Sequence, residues 1–83
     1  MERVKVYGAD WCKDTKRTRK QLDKLGVAYD YVNVEDDEQA ALWVKEQNNG
    51  KERKPTLKLG EQVLSVPSEE ELETALRHNG LAE

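Results

Sequence analysis

The single cysteine, Cys12, is the residue of this chain best suited to covalent chemistry. It follows a stretch that alternates apolar and polar residues and precedes a stretch without glycine or proline, which places it between a strand and a helix. The N–H groups and dipole at a helix N-terminus favour a thiolate, as do the nearby cations of Lys13, Lys16 and Arg17. Asp14 opposes this effect. Because the thiolate is the reactive form in disulfide exchange, the sequence predicts a nucleophilic thiol.

Cys12 also has a structural interpretation, since an isolated cysteine is often a small buried apolar residue. Its place at a strand-to-helix junction favours the functional interpretation. With one cysteine, the chain cannot form an internal disulfide or supply the ligands of a structural zinc site. A free thiol is typical of a reducing compartment, so we expect a cytoplasmic protein.

A second group of polar residues surrounds Pro55. Proline lacks an N–H group and therefore fits best at the start of a strand, here the strand that begins at Thr56. Lys51, Arg53 and Lys54 form a basic cluster in the same loop. This cluster either holds an anionic partner or consists of ordinary solvated side chains.

Hydrophobic periodicity predicts the elements that position these groups. The first half of the chain is predicted to contain a strand from Arg3 to Tyr7, a helix from Cys12 to Leu25 and a strand from Val27 to Val34. The outer face of this helix is solvent-exposed and consists of lysine and arginine. We expect the stripe of this first helix to comprise Trp11, Thr15, Thr18, Leu22 and Leu25. A second helix, capped by Asp36 or Asp37, ends near Asn48, Asn49 and Gly50.

The second half of the chain predicts a hairpin and a final helix. Strands from Thr56 to Leu59 and from Gln62 to Val66 flank Gly60-Glu61, and Ser68 to Glu71 form a capping box. The last helix presents Leu72, Ala75 and Leu76 as its buried stripe. The order is β-α-β-α-β-β-α, an α/β layout in one domain spanning residues 1–83.

The composition excludes several classes of function. Charged residues make up 37% of the chain with both signs interspersed and a net charge of −3, and no basic stripe is interleaved with aromatic residues. We therefore expect no nucleic-acid partner. The first residues show no apolar run that is typical of a secretory signal, so we expect neither such a signal nor a segment that enters a membrane.

Three short motifs carry a resemblance to a known family. Trp11-Cys12, Lys54-Pro55-Thr56 and Val66-Pro67-Ser68 resemble the glutaredoxin family, most closely its mycoredoxin-like members, over Val4 to about Leu76. The resemblance implies a thioredoxin fold with a four-stranded mixed sheet in the order 2-1-3-4, flanked by three helices.

The same resemblance implies the site. Cys12 is the nucleophile, and Pro55 is cis and lies against its sulfur. The backbone of Lys54 then pairs with a low-molecular-weight thiol of glutathione or mycothiol type, which serves as co-substrate, with no tightly bound cofactor and no metal. Site-shaping residues follow from the matching positions: Trp11, Lys13, Thr15, Lys54, Pro55, Thr56, Pro67 and Ser68.

Four positions depart from the family pattern. Thr15 stands where the family has its second cysteine, so the chain is a single-cysteine variant without a dithiol mechanism. Its hydroxyl either donates a hydrogen bond to the sulfur or only fills the space of the missing thiol. Lys54 places a cation where relatives have an apolar residue, and Lys13-Asp14 differ from the Cys-Gly-Phe-Ser motif of relatives that carry an iron–sulfur cluster.

The leading hypothesis is a monothiol oxidoreductase that acts on mixed disulfides between proteins and a small thiol, as a cytoplasmic monomer. The alternative is a non-catalytic binding module that has lost redox activity and keeps its groove. A third hypothesis is a glutathione-dependent iron–sulfur carrier, which would need a dimer and two external thiols to complete four thiolate ligands.

Overall fold

Four strands form one mixed sheet in the computed structural model, which describes residues 3–81. The strands are β1 (Val4–Gly8), β2 (Tyr29–Asn33), β3 (Thr56–Leu59) and β4 (Gln62–Ser65). Their spatial order is β2-β1-β3-β4, with β1 parallel to β2 and β3 antiparallel to both β1 and β4. The predicted fold class, element order and hairpin are confirmed.

Three helices complete the fold: α1 (Lys13–Lys24), α2 (Glu38–Gln47) and α3 (Glu69–His78). Asp37 caps α2 by accepting a hydrogen bond of 3.0 Å from the N–H of Ala40, which decides between the two aspartates considered as caps. At the start of α3, Ser68 and Glu71 form the predicted capping box. No helix of the described part, residues 3–81, is long and apolar enough to cross a membrane.

The hydrophobic core lies between one face of the sheet and helices α1 and α3. Its residues come from β1, β3 and these two helices, with Val27 from the connection to β2: Val4, Val6, Leu22, Val27, Leu57, Leu59, Leu72, Ala75 and Leu76. Side chains alternate between the two faces of a strand, so Tyr7 points to the opposite face from Val6. There its ring meets that of Trp43 in α2, with centroids 4.6 Å apart. The helices therefore cover both faces of the sheet.

Two residues of the expected α1 stripe are not buried. The buried residues of α1 are Thr15, Thr18 and Leu22, whereas Trp11 is 61% exposed and Leu25 is 40% exposed. Trp11 lies before the helix begins, and Leu25 caps its C-terminal end. Both residues therefore lie outside the helix whose buried side chains form the stripe. Two strands are also shorter than expected, since β2 begins at Tyr29 and β4 ends at Ser65.

Candidate active site

The turn between β1 and α1 places Cys12 at the N-terminus of the helix. Cys12 is the N-cap of α1, with its N–H donating to the carbonyl of Ala9 at 3.1 Å and its carbonyl accepting from the N–H of Lys16 at 3.0 Å. The side chain is partly exposed, and within residues 3–81 it forms no capping hydrogen bond with the first turn of the helix. The sulfur nevertheless lies at the N-terminal end of α1, where the helix dipole favours negative charge.

The loop before β3 supplies the direct contact of the sulfur. Cys12 Sγ donates a hydrogen bond of 3.6 Å to the carbonyl oxygen of Lys54. The Lys54-Pro55 peptide bond is cis, which confirms the expectation from the resemblance, and Pro55 is buried. The carbonyl of Pro55 accepts from the N–H of Val66 at 2.8 Å, so the loop is held by the segment that follows β4.

The Lys54 side chain is directed towards Trp11 and Glu52. Its Nζ lies 2.9 Å from Oε1 of Glu52 and 5.4 Å from the centroid of the Trp11 ring. The indole N–H of Trp11 donates to Oε1 of Glu35 at 2.9 Å. Trp11 thus forms an exposed wall beside Cys12, and the carboxylate of Glu52 offsets the positive charge of Lys54.

Thr15 faces the interior beneath the turn that carries Cys12. Its side chain is fully buried, and its hydroxyl oxygen accepts from the N–H of Ala9 at 3.5 Å. Within residues 3–81 the structure forms no hydrogen bond between this hydroxyl and Cys12 Sγ. Of the two roles left open by the sequence, the geometry favours the one in which Thr15 fills the space of a second thiol.

Asn48 anchors the loop from the other side, a role that the sequence did not indicate. Its buried amide group donates to the carbonyl of Val44 at 2.7 Å and to Oγ1 of Thr56 at 3.2 Å, and it accepts from the hydroxyl of Ser65. The hydroxyl of Thr56 donates to the carbonyl of Arg53 at 2.8 Å. The end of α2, the loop and both hairpin strands are therefore joined by one polar network.

Pro67 and Ser68 lie at the junction between α1 and α3. A guanidinium N–H of Arg17 donates to the carbonyl of Pro67 at 3.3 Å, and Ser68 is engaged in the capping box. Lys13 is exposed in the first turn of α1. The direct contacts of the structure therefore connect Trp11, Cys12 and the Lys54-Pro55 loop, whereas Pro67 and Ser68 are linked to α1 through Arg17.

A second polar cluster, not anticipated from the sequence, joins β2 to the site. The phenol of Tyr31 donates to Oδ1 of Asp10 at 2.8 Å, and the guanidinium of Arg19 lies 3.9 Å from the centroid of the Tyr31 ring. Arg19 also donates to the hydroxyl of Tyr29 at 3.2 Å, and this bond raises the pKa of Arg19. Burial, followed by the hydrogen bond to Asp10, raises the pKa of Tyr31 to about 12.

Known proteins match most of this chain. Residues 4–64 match the family model described as glutaredoxin. Mycoredoxin 1 of Corynebacterium glutamicum is 40% identical over 58 residues, which cover 70% of this chain and 71% of that protein.

Among the solved structures that share the fold are two redoxins. The glutaredoxin grx-1 from Archaeoglobus fulgidus matches with a TM-score of 0.76 at 23% identity, covering 93% of this chain and 88% of that one. The glutaredoxin-like NrdH-redoxin from Escherichia coli matches with a TM-score of 0.70 at 22% identity, covering 77% of this chain and 82% of that one.

Proposed function

Since this chain belongs to the glutaredoxin family, we propose that it is a monothiol oxidoreductase. Its single thiol, Cys12, takes a small-thiol group from a mixed disulfide and then passes that group to a second small-thiol molecule. The observation that carries the proposal is the contact of 3.6 Å between Cys12 Sγ and the carbonyl oxygen of Lys54, at the open N-terminus of α1. The sulfur is partly exposed. The neutral thiol donates to this carbonyl, and the helix end stabilises the thiolate that forms when the proton leaves.

The first reaction transfers the small thiol to the protein. The Cys12 thiolate attacks the small-thiol sulfur of a mixed disulfide, and a new S–S bond forms as the old one breaks. The substrate cysteine leaves as a thiolate and takes a proton from water. Cys12 is then held in a mixed disulfide with the small thiol.

The second reaction restores the free thiol. A second small-thiol molecule attacks as its thiolate, forms the small-thiol disulfide and releases Cys12 as a thiolate. Over the two reactions, one free small thiol and the mixed disulfide give the substrate thiol and the small-thiol disulfide, and Cys12 is restored. No second protein thiol is needed, which fits the buried Thr15 at the third position after Cys12.

The small thiol binds between the Lys54-Pro55 loop and the exposed wall of Trp11. When Cys12 is disulfide-bonded it no longer donates to the Lys54 carbonyl, so that oxygen is free to accept an N–H of the small thiol. We propose a mycothiol-type thiol as the first candidate, supported by the 40% identity to mycoredoxin 1, and glutathione as the second. Thiolated proteins are the partners.

We further propose that residues 1–83 act as one domain and as a monomer in the cytoplasm, where free thiols persist. The net charge of −3 supports a protein that stays dispersed at neutral pH. Equilibrium sedimentation at two protein concentrations tests the oligomeric state. A mass that rises with concentration would contradict the monomer.

The decisive experiment compares the parent with Cys12→Ser on peptides that carry a mixed disulfide with mycothiol or with glutathione. We expect the parent to acquire one small-thiol adduct, located at Cys12 by mass spectrometry. Turnover should require added free small thiol and should be lost in Cys12→Ser. The preferred thiol is the one that gives the higher kcat/KM.

A different outcome identifies the alternative. If the parent is no more active than Cys12→Ser with either thiol, the chain is a binding module on a glutaredoxin scaffold. Isothermal titration with the disulfide forms of the small thiols would then show whether the groove beside Trp11 still binds them.

A further inference from the structure

The outer face of α1 is a continuous row of exposed cations. The residues recur every three or four positions, which places them on the helix face opposite the buried Thr15, Thr18 and Leu22. We call this row the basic stripe, and it consists of Lys13, Lys16, Arg17, Lys20 and Lys24. It begins next to Cys12 and follows the whole length of the helix.

The charge of the basic stripe is largely uncompensated. Helix α1 contains six lysine or arginine residues and two aspartates, whereas the whole chain has a net charge of −3. Arg17 forms an ion pair of 3.6 Å with Asp14. Among residues 3–81, no carboxylate oxygen lies within 4.0 Å of the four lysines of the stripe. The positive potential is therefore open to an external anion.

Two grooves border the basic stripe, and their charges differ. The groove towards β2 has a volume of about 650 Å³ and includes Arg19 and Tyr29, with Asp23 as its one acidic residue. The groove towards α3 has a volume of about 310 Å³ and includes Glu69 and Glu73. The groove towards β2 is lined by five cationic side chains and one carboxylate, and the groove towards α3 by three cationic side chains and two carboxylates. An anionic ligand is therefore favoured more strongly in the groove towards β2.

We propose that the basic stripe docks an acidic segment of the thiolated protein on which Cys12 acts. The identity of this partner rests on the proposed function, whereas the affinity of the basic stripe for an acidic peptide does not. Helix α1 has 12 residues and a length of about 16 Å between its ends. An extended peptide covers that length in about five residues, so the acidic side chains lie within about five residues of the substrate cysteine.

A peptide fits this surface better than a single-stranded nucleic acid. Proteins that bind single strands without sequence preference offer several aromatic rings on which bases stack. The groove towards β2 includes one aromatic side chain, Tyr29, whose hydroxyl already accepts from Arg19 at 3.2 Å. Flexible carboxylate side chains need only the point charges that the lysines provide.

The test uses a dye-labelled peptide with five glutamates and no cysteine, followed by fluorescence anisotropy with the parent protein. We expect saturable binding that weakens as salt is raised. The variant Lys20→Glu should bind about fivefold more weakly, since it replaces an attraction by a repulsion at an exposed site. The matched control is Lys45→Glu, which reverses an exposed lysine of α2 and should stay within about twofold of the parent.

Two results of the binding assay would overturn the inference. The first is an equal loss in both variants, which would mean that only net charge matters. The second is tighter binding of an oligothymidylate than of the acidic peptide, with the same dependence on Lys20.

A kinetic assay separates this inference from the proposed function. It compares mixed-disulfide peptides with acidic or neutral residues beside the cysteine. We expect Lys20→Glu to lower kcat/KM about fivefold for the acidic substrate only, through KM. An active enzyme that treats both substrates alike contradicts the docking surface but not the redox function. An inactive protein that still binds the acidic peptide through Lys20 contradicts the function but not the surface.

Discussion

Gly8 and Thr15 fit against each other so closely that a methyl group at Gly8 would lie 2.5 Å from Oγ1 and 2.6 Å from Cγ2 of Thr15. Gly8 ends β1, and Thr15 lies in the first turn of α1 and is fully buried. This contact sets the distance between strand and helix at the turn that carries Cys12. Any side chain at Gly8 would push the helix, and with it the thiol, away from the sheet.

Gly8→Ala should therefore destabilise the protein by about 1–3 kcal/mol, because the added methyl group overpacks a closed site. Thr15→Ala in the same chain removes both atoms that clash, so it should recover part of this loss. Urea denaturation of the two single variants and the double variant gives the coupling free energy. Effects that simply add would show that the two side chains do not meet.

Thr15→Cys should allow an internal disulfide with Cys12, three positions earlier in the chain. Thr15 fills the place where the family has its second cysteine, and residues three positions apart at a helix start are neighbours. Under mild oxidation the variant should lose two hydrogen masses and become resistant to alkylation, while the parent should not. The pair Cys12→Ser with Thr15→Cys is the control, and an internal disulfide that fails to form would contradict the arrangement.

Asn48→Ala should cost about 2–3 kcal/mol of folding free energy, since it removes the hydrogen bonds of the side chain to buried Val44 and Thr56 and to Ser65. We also expect faster proteolysis of the loop from Gly50 to Lys54, because Asn48 joins this loop to α2 and the hairpin. Gln47→Ala, an exposed position next to it, serves as the control and should change stability by less than about 0.5 kcal/mol. Equal free energies of unfolding for Asn48→Ala and Gln47→Ala would contradict the polar network around Asn48.

Tyr31 should ionise only near pH 12, because burial and donation to Asp10 both favour its neutral form. Its pKa in the folded state lies above the unfolded value of 10.0, so between about pH 10 and 12 the unfolded state releases this proton first. Stability therefore falls as pH rises through that window.

Absorbance at 295 nm measures this effect directly. Tyr31→Phe should lack the last part of the phenolate titration, and Asp10→Asn should shift it to lower pH. Urea denaturation at pH 8 and pH 10.5 should show a smaller loss of stability in Tyr31→Phe than in the parent. An unchanged titration in Tyr31→Phe would assign the high pKa to another tyrosine.

Local signals predicted most of the fold. The capping box from Ser68 to Glu71 and the hairpin around Gly60-Glu61 depend on interactions between residues that are close in the chain, and both are present. Periodicity failed at Trp11 because it registers residue type and spacing but not where a helix begins. Since Cys12 is the N-cap, the residue before it is outside the helix and exposed.

Long-range polar contacts leave no local pattern in the sequence. Asn48 lies two positions before Gly50, a pattern that indicates only the end of a helix. Its bonds to Thr56 and Ser65 join residues 8 and 17 positions away. The bond between Tyr31 and Asp10 spans 21 positions. A single sequence contains no pattern that pairs such residues. The order of the sheet, by contrast, followed from the resemblance rather than from periodicity.

The acceptor of the Cys12 hydrogen bond is a backbone carbonyl, and this has an evolutionary consequence. Every amino acid at position 54 supplies the same oxygen, whereas the side chain there points to Trp11 and Glu52. Mutations at this position can therefore diversify what the groove recognises while the immediate setting of the sulfur is inherited unchanged. Selection for a new substrate and retention of the old chemistry need not compete at this residue.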